Sequence, residues 1–440
     1  MIRTFLRSAV AALLVALGAA LASPALAIDI VEIDGPETGV PGLLVEDRAN
    51  PIVTLRIAFD GGSLIERTGE EGLVNLLSTM LDEGAGDLDS ETFQERLDAL
   101  GVRFSADAQR ESFRLGVSAL EGRFDEAIEL LALAMNEPRF DAEPLARMKR
   151  QLASSLDARN GTPRARTQRE VAALVWGDHP YARSADGDAE VVRSADPDAL
   201  RAIRERLFAR DNATVAMVGA ITPEEAAAAI DRLFAGLPES SGVEPVPPAA
   251  PRLGLDETFE VPGQQASLQV VLPAPKREDE DFFAAFLVNH VLGGGTFTSR
   301  LYDELREKRG LTYGAGSGIA TREAGATWNA SVSTRPENAE EARRILVAEI
   351  ERMAREGPTE EELEAAKAFV KGTYAINNLS SSASVAGVLL GIQRADLGTD
   401  YIDRREALID AVTIEDARRV AAEYLAAEPT IITVMPETAG

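Results

Sequence analysis

A proline-rich segment divides this chain almost in half. Residues 238–251 read P-E-S-S-G-V-E-P-V-P-P-A-A-P, a composition typical of a linker rather than of a helix or a strand. Similar features follow in the same order on either side, because G-V-R-F-S-A from Gly101 matches G-L-T-Y-G-A from Gly310. This internal match predicts two copies of one unit, residues 28–237 and 252–440.

Within each unit, strand patterns alternate with helix starts. Four short runs alternate apolar with other residues or are rich in β-branched residues: Val53–Phe59, Leu268–Leu272, Thr214–Val218 and Ile431–Val434. Helices are expected after Thr222, Thr359 and Thr413, because each is followed three residues later by Glu or Asp. We predict an α+β fold in which each unit is a mainly antiparallel sheet with helices on one face. Helices at 71–81 and 299–306 are expected to occupy related places.

The first 27 residues have the features of a secretory leader. Arg3 and Arg7 precede the apolar run Ala9–Ala22, and Ala25-Leu26-Ala27 is an A-x-A cleavage signal. An uncleaved N-terminal anchor is the alternative, although the run is short for a bilayer-spanning helix. We expect cleavage after Ala27 and a periplasmic or otherwise exported chain with no membrane segment.

Charge and cysteine content exclude several classes of function. The chain has a formal charge of −27, which repels nucleic acids and anionic membrane surfaces. Such a surface keeps an exported protein soluble, and it also favours basic peptides or a basic partner. The sequence contains no cysteine, so no disulfide staples the fold and no thiol acts as a nucleophile.

The segment from Asp60 to Met80 carries a resemblance to a known family. It reads D-G-G-S-L-I-E-R-T-G-E-E-G-L-V-N-L-L-S-T-M and resembles the first zinc helix of the insulinase and pitrilysin-type metallopeptidases, the inverzincins. In that family this helix carries H-x-x-E-H, two zinc-binding imidazoles and a glutamate that activates water. Five positions set the register: Gly62, Ser63, Glu66, Gly72 and Met80.

In this register the zinc motif is degenerate. The two histidines of the family fall on Asn75 and Thr79, and its glutamate falls on Ser78. The third ligand, a glutamate further along the chain, falls at or next to Ser155. Without imidazoles or carboxylates these positions provide no binding free energy for zinc. We therefore expect no metal or other cofactor in this chain, and the resemblance implies zinc in a partner subunit.

The second unit carries a second family motif. From Asn289 to Tyr313 the chain reads N-H-V-L-G-G-G-T-F-T-S-R-L-Y-D-E-L-R-E-K-R-G-L-T-Y, which is similar to the signature of the C-terminal domain of insulinase-type peptidases. In that domain an Arg and a Tyr seven residues later reach the zinc site of the facing domain. There they bind the substrate backbone and stabilise the oxyanion. Arg306 and Tyr313 occupy these two positions, and the resemblance implies the same catalytic roles, supplied in trans.

The chemistry of these two side chains suits that role. Negative charge grows on the carbonyl oxygen as water adds to a peptide bond, and a guanidinium or phenol placed there stabilises the transition state. The structural alternative is that Arg306 pairs with a surface carboxylate and Tyr313 is a core aromatic. Residues 293–295 are three glycines, but no G-K-[S/T] follows them, so a turn before a helix is expected rather than a phosphate loop.

The two histidines of the chain are expected to be structural. His179 lies in G-D-H-P-Y and His290 lies in an apolar helix, and neither has a second His or Cys at ligand spacing.

The resemblance covers nearly all of the chain and points to the short bacterial branch with two subunits. In that branch one subunit carries zinc and H-x-x-E-H, and the other lacks zinc and keeps the Arg/Tyr pair. The expected function is therefore the non-catalytic subunit of a periplasmic heterodimeric zinc peptidase acting on peptides. A free-standing peptide-binding or scaffold pseudopeptidase is the alternative. An active enzyme with an unusual zinc site would need ligands that the sequence does not offer.

Overall fold

The computed structural model describes residues 28–437, so the expected leader over residues 1–27 lies outside it. Within the described part of the chain the strands are β1 Val31–Asp34, β2 Pro41–Glu46, β3 Ile52–Asp60, β4 Arg103–Ala108, β5 Ser112–Leu120, β6 Ala213–Gly219, β7 Asp256–Val261, β8 Ala266–Pro273, β9 Thr312–Thr321, β10 Ala326–Thr334 and β11 Thr430–Pro436.

The α-helices of the first unit are α1 Leu73–Ser78, α2 Ser90–Leu100, α3 Phe124–Asn136, α4 Ala142–Asn160, α5 Pro163–Trp176, α6 Ala189–Ser194, α7 Pro197–Leu207 and α8 Pro223–Phe234. Those of the second unit are α9 Phe282–Asn289, α10 Arg300–Tyr302, α11 Ala339–Glu356, α12 Glu360–Asn378, α13 Ser382–Arg394, α14 Tyr401–Asp410 and α15 Ile414–Leu425. Two π-helical segments, His290–Gly294 and Asp303–Glu307, extend α9 and α10.

The two sheets have the same topology. The first has the strand order β1-β2-β6-β3-β5-β4, and the second has the order β7-β11-β8-β10-β9. Apart from β1, each strand has a counterpart at the same position and in the same direction. One parallel pair, β2 with β6 or β7 with β11, lies beside antiparallel neighbours in each sheet. The predicted α+β fold with two homologous, mainly antiparallel units is confirmed.

Capping residues in the sequence correctly predicted where several helices begin, and glycines mark where two others end. Thr222, Thr359 and Thr413 each form a capping box with the acidic residue three positions later. Gly101 ends α2 with φ 64°, and Gly310 follows the helix of Arg306 with φ 63°. Both glycines adopt the left-handed conformation that side chains with a Cβ disfavour.

One predicted correspondence between the units is wrong. The expectation related residues 299–306 to residues 71–81, but the structure relates them to α2. Both α2 and the helix of residues 300–307 precede a left-handed glycine and then the edge strand, β4 or β9. In the first unit α1 follows β3, just as α9 follows β8 in the second. The match of Gly101 with Gly310 is consistent with the observed correspondence, because each of these glycines ends one of the two helices.

Each unit forms its own core between one face of its sheet and its helices. In the first unit Leu55, Ile57 and Phe59 of β3 are fully buried against helices that include α1 and α7. In the second unit Leu268 and Val270 of β8 pack with residues of α9, α11 and α15.

The opposite face of each sheet is covered by helices of the other unit. Leu389 of α13 packs against Ala58 of β3 and Val218 of β6, on the face that points away from the first core. Conversely, Trp176 at the end of α5 packs with Val271 of β8 and its neighbours in the second sheet. Each unit therefore covers one face of the other unit's sheet with one of its own helices. The sequence patterns did not predict this arrangement.

No single helix among residues 28–437 has both the length and the apolar character needed to cross a bilayer. The consecutive helices α12 and α13 meet both criteria only when they are taken together, and the chain bends by 115° between them.

Candidate functional site

Three of the four degenerate zinc positions are occupied by polar side chains that hydrogen-bond to the backbone. The Asn75 amide donates to the carbonyl of Asp186 at 3.0 Å. The hydroxyls of Ser78 and Thr79 donate to the carbonyls of Asn75 and Leu76, one turn back, at 2.7 and 2.8 Å. Ser155 lies on α4, and its side chain is exposed. The side chains of Asn75, Ser78 and Thr79 therefore stabilise the end of α1 and its contact with the loop at Asp186.

The residues at these four positions do not fit zinc. A zinc site uses imidazole, thiolate or carboxylate ligands, whereas an amide and three hydroxyls are neutral and weak donors. Among the described residues, no group of three or more His, Cys, Asp or Glu side chains has an arrangement that could hold a metal ion. We therefore assign no zinc ion to these four positions.

Glu66 holds the beginning of the degenerate helix. Its buried carboxylate accepts hydrogen bonds from the N–H groups of Gly72 at 3.0 Å and Val74 at 2.8 Å. These N–H groups have no partner within the helix itself, so the carboxylate acts as an internal cap. Burial raises the pKa of Glu66 to about 7, although the two backbone hydrogen bonds act in the opposite direction. The sequence comparison used Glu66 only to set the register and missed this role.

Arg306 lies in the π-helical segment Asp303–Glu307. Its guanidinium lies over the ring of Tyr302, 4.9 Å from the centroid, in a cation–π contact. Within residues 28–437 no carboxylate forms an ion pair with Arg306, whereas the neighbouring Lys308 and Arg309 both pair with Glu304. The structure therefore does not support the alternative that Arg306 neutralises a surface carboxylate.

Tyr313 lies near the start of the edge strand β9, and it is not a core aromatic because 90% of it is exposed. The register between β9 and β10 shifts at this point, so Tyr313 and Gly314 lie opposite the single residue Ser333. Such a β-bulge redirects a side chain. The Thr312 hydroxyl donates to the Ser333 carbonyl at 2.6 Å and accepts from the Gly314 N–H at 3.0 Å, which holds the bulge.

The three glycines before Arg306 serve close packing. Residues 293 and 294 lie in a π-helical segment instead of the expected turn. A Cβ on Gly293 would lie 2.3 Å from the Ser317 nitrogen of β9, so only glycine permits this approach. Nearby, the Ser317 hydroxyl donates to the buried Asn289 side chain at 2.7 Å. Gly293 therefore allows β9 to lie against the helix, and no phosphate-binding role is needed to explain it.

An exposed aromatic side chain lies beside Arg306, and sequence reasoning missed it. Phe297 is 70% exposed, and its ring makes a T-shaped contact with the ring of Tyr302, with the two ring centroids 5.1 Å apart. The preceding Thr296 has a positive φ of 50°, which is uncommon outside glycine. Arg306 and Phe297 thus both contact the buried ring of Tyr302, which brings a cation and an exposed aromatic side chain to the same part of the molecule. Non-glycine residues with positive φ are enriched at functional sites.

Each histidine has a specific place in the structure. His179 accepts a hydrogen bond from the Tyr181 N–H at 3.1 Å, and its other ring nitrogen lies 2.9 Å from the Pro247 carbonyl in the linker. These partners match the tautomer in which the Nε2–H donates to the Pro247 carbonyl. His290 packs on Phe369 with centroids 4.9 Å apart, and burial lowers its pKa. Neither ring contacts the degenerate zinc positions.

The repeated α+β units and the lost metal ligands define a pseudopeptidase of the duplicated metallopeptidase type. Comparison with sequence families agrees. Residues 43–188 match the model described as Insulinase (Peptidase family M16), and residues 194–370 match the model described as Peptidase M16 inactive domain. The chain belongs to peptidase family M16.

Several relatives are similar over most of their length. A non-peptidase homolog of Helicobacter pylori is 22% identical, covering 78% of this chain and 80% of that protein. An uncharacterized zinc protease of Mycobacterium bovis is 24% identical, covering 83% of this chain and 84% of that protein. The crystal structure of a peptidase M16 inactive domain from Pseudomonas fluorescens has a TM-score of 0.87 at 27% identity, covering 94% of this chain and 99% of that one. Relatives with both kinds of name are about equally similar, so it is the lost ligands that mark this chain as an inactive, non-peptidase homologue within the family.

Proposed function

We propose that this chain is the zinc-free subunit of an exported two-subunit M16 peptidase and supplies Arg306 and Tyr313 in trans to a zinc-bearing partner. The observation that carries the proposal is the availability of these two side chains. Tyr313 projects from a bulge with 90% of its surface exposed, and Arg306 is held by an aromatic ring instead of a carboxylate. A purely structural pair would be expected to bury the phenol or neutralise the guanidinium.

The chemistry of peptide hydrolysis gives the pair its role. Arg306 is a permanent cation and Tyr313 is a neutral donor, so both are ready at neutral pH without a metal in this chain. Placed beside the scissile carbonyl, they would stabilise the charge that develops on its oxygen. Zinc and the water-activating glutamate would come from the partner, because the positions of Asn75, Ser78 and Thr79 hold neither.

Export is part of the proposal and depends on the sequence of residues 1–27. A cationic start, an apolar run and an A-x-A signal together support a leader that is cleaved after Ala27. The mature N-terminus, determined by mass spectrometry of protein from the native cell, tests this point separately from the peptidase role.

The test of the proposed function is reconstitution. This chain and an H-x-x-E-H subunit from the same organism are purified separately and mixed. Size-exclusion chromatography with light scattering measures assembly, and a quenched-fluorescence peptide measures cleavage. We expect a heterodimer that cleaves unfolded peptides and loses activity on chelation, while this chain alone is inert. A peptidase subunit with full activity alone and no affinity for this chain would refute the proposal.

A free-standing peptide-binding pseudopeptidase is the remaining candidate and predicts a different result. Such a protein would bind peptides alone and gain no activity from any partner. Isothermal titration of this chain with the same peptide, with and without the zinc subunit, separates the two functions.

A further inference from the structure

A cavity of about 350 Å³ lies where the two units meet. One wall is formed by α5 and by residues 181–186 of the first unit. The other wall is the face of the second sheet that bears Gln269 and Asn329, together with Arg322, which follows the end of β9. This volume is at the lower end of the range for small-ligand sites. Arg306 and Tyr313 are not among the lining residues, so the cavity is separate from the proposed catalytic pair.

The cavity concentrates positive charge in an acidic protein. Five arginines line it: Arg110, Arg159, Arg169, Arg183 and Arg322. The one acidic residue of the lining, Asp186, forms an ion pair with Arg159 at 2.6 Å. The whole chain has a formal charge of −27, so this local excess of guanidinium groups contrasts with the rest of the molecule.

Among the described residues only Arg159 of these five arginines forms an ion pair, and Arg110 and Arg322 are two of those that lack a carboxylate partner. Arg110 donates to the backbone carbonyls of Tyr181 and Arg183, at 3.3 and 2.9 Å. Arg322 lies over the rings of Trp176 and Tyr181, and its buried Nη1 has no hydrogen-bond partner. A buried donor on a charged group normally has a partner, because leaving it unpaired is costly.

The electrostatics of the two guanidinium groups agree with this geometry. Burial lowers the pKa of both Arg110 and Arg322, and repulsion from Arg322 lowers the pKa of Arg110 further. The Glu111 carboxylate is close, but it accepts hydrogen bonds from the Tyr181 hydroxyl and from the Glu323 N–H. Within the described residues it forms no ion pair with either arginine. An anion in the cavity would relieve the repulsion and satisfy Arg322.

We propose that this cavity binds a carboxylate on a short apolar stem, held by Arg322 and Arg110. The planar guanidinium fork matches a carboxylate in size and geometry. Apolar side chains also line the cavity, among them Val171, Val175 and Val271, and they would contact the stem. Glutamate side chains of peptides and free small dicarboxylates share this chemistry. The proposal concerns the chain alone and does not depend on its pairing with a zinc subunit.

Tryptophan fluorescence provides a direct readout. The chain contains two tryptophans. Trp176 lines the cavity, and Trp328 is buried in the second core. Trp328→Phe therefore leaves a single reporter beside Arg322. We expect saturable changes in emission on titration with tri-glutamate or glutarate at constant ionic strength, and none with tri-glutamine. If Trp328→Phe does not fold, isothermal titration calorimetry of the unaltered chain measures the same binding.

Matched variants connect binding to the cavity. Arg322→Gln should weaken binding about tenfold or more, since it removes a charge-assisted hydrogen bond. Arg322→Lys keeps the charge without the fork and should weaken binding less. Arg201→Gln is the control, because Arg201 is exposed on α7 and pairs with Asp198.

The outcomes separate the sources of the ligand. Binding of tri-glutamate but not glutarate would identify a peptide side chain, and the reverse would identify a free dicarboxylate. An equal response to inorganic phosphate would mean general charge attraction and would overturn the carboxylate assignment. The proposal would also be overturned if Arg322→Gln bound the probes with unchanged affinity, or if neither tri-glutamate nor glutarate showed saturable binding.

Discussion

The backbone N–H of Gly310 donates to the carbonyl of Arg306 at 2.9 Å. One residue later, the Leu311 N–H donates to the Leu305 carbonyl at 2.9 Å. These hydrogen bonds end the helix that contains Arg306, and the chain then enters β9, which carries Tyr313. The position of both side chains therefore depends on the left-handed conformation of a single glycine.

Gly310→Ala should lower the unfolding free energy by about 1 kcal/mol, the cost of placing a Cβ in the left-handed region. Gly101→Ala is the matched control, because Gly101 ends the equivalent helix with nearly the same φ and has equally open surroundings. Urea denaturation should show similar losses for both variants. Only Gly310→Ala should reduce cleavage by the reconstituted heterodimer, and equal losses of activity would argue against a positioning role for this turn.

In the same heterodimer, Arg306→Ala or Tyr313→Phe should lower kcat about a hundredfold. Each variant removes a donor to charge that exists only in the transition state, which typically costs on the order of 3 kcal/mol. Subunit affinity should change little. Arg355→Ala, at an exposed site near the end of α11, is the control. Full activity of both variants within an intact dimer would mean that the pair is structural.

The wild-type chain should hold no stoichiometric zinc in elemental analysis after purification without chelators. The combined variant Asn75→His, Thr79→His and Ser155→Glu restores two imidazoles and a carboxylate at the positions assigned to the family ligands. We expect this variant to retain zinc through gel filtration. Zinc in the wild type would contradict the argument from donor chemistry, and none in the variant would show that the register is wrong.

Stability should depend on pH through Glu66. Its pKa is about 7 in the folded chain, above the ordinary value of 4.5. The unfolded state therefore loses this proton first, so the contribution of Glu66 is fully present below about pH 4.5 and is lost as pH rises through about 7. Glu66→Gln keeps an acceptor for Gly72 and Val74 and does not ionise. The unfolding free energy of Glu66→Gln, measured relative to that of wild type, should increase by up to about 3 kcal/mol as the pH rises from about 5 to about 8.

Urea denaturation at both pH values measures this gain, and the exposed Glu37→Gln is the control. A difference between Glu66→Gln and wild type that stays constant with pH would show that Glu66 ionises at its ordinary pKa.

Short-range patterns made much of the fold predictable. The three capping boxes depend on residues three positions apart, and the left-handed glycines at 101 and 310 act within one turn. The strand runs alternate over a few residues. Such signals are contained in a short window of sequence, so they identify elements and, through their repetition, the two units.

Features that depend on distant residues were not predictable in this way. The Asn75 amide meets a carbonyl 111 residues away, and the cavity brings Arg110 beside Arg322 from the other unit. The two π-helical segments both pack against β9, the strand that carries the bulge at Tyr313. In each case tertiary contacts decide the local conformation, and no pattern within one element encodes them.

The reciprocal packing of α5 and α13 has a consequence for the linker. Each sheet has one apolar face that residues of the other unit cover, with α13 or α5 at the centre of the contact, so neither unit alone would bury that face. A chain cut by a protease within residues 238–251 should therefore stay together as two associated fragments. Either fragment expressed alone should aggregate, and the two should recover a native fold only when they are refolded as a mixture.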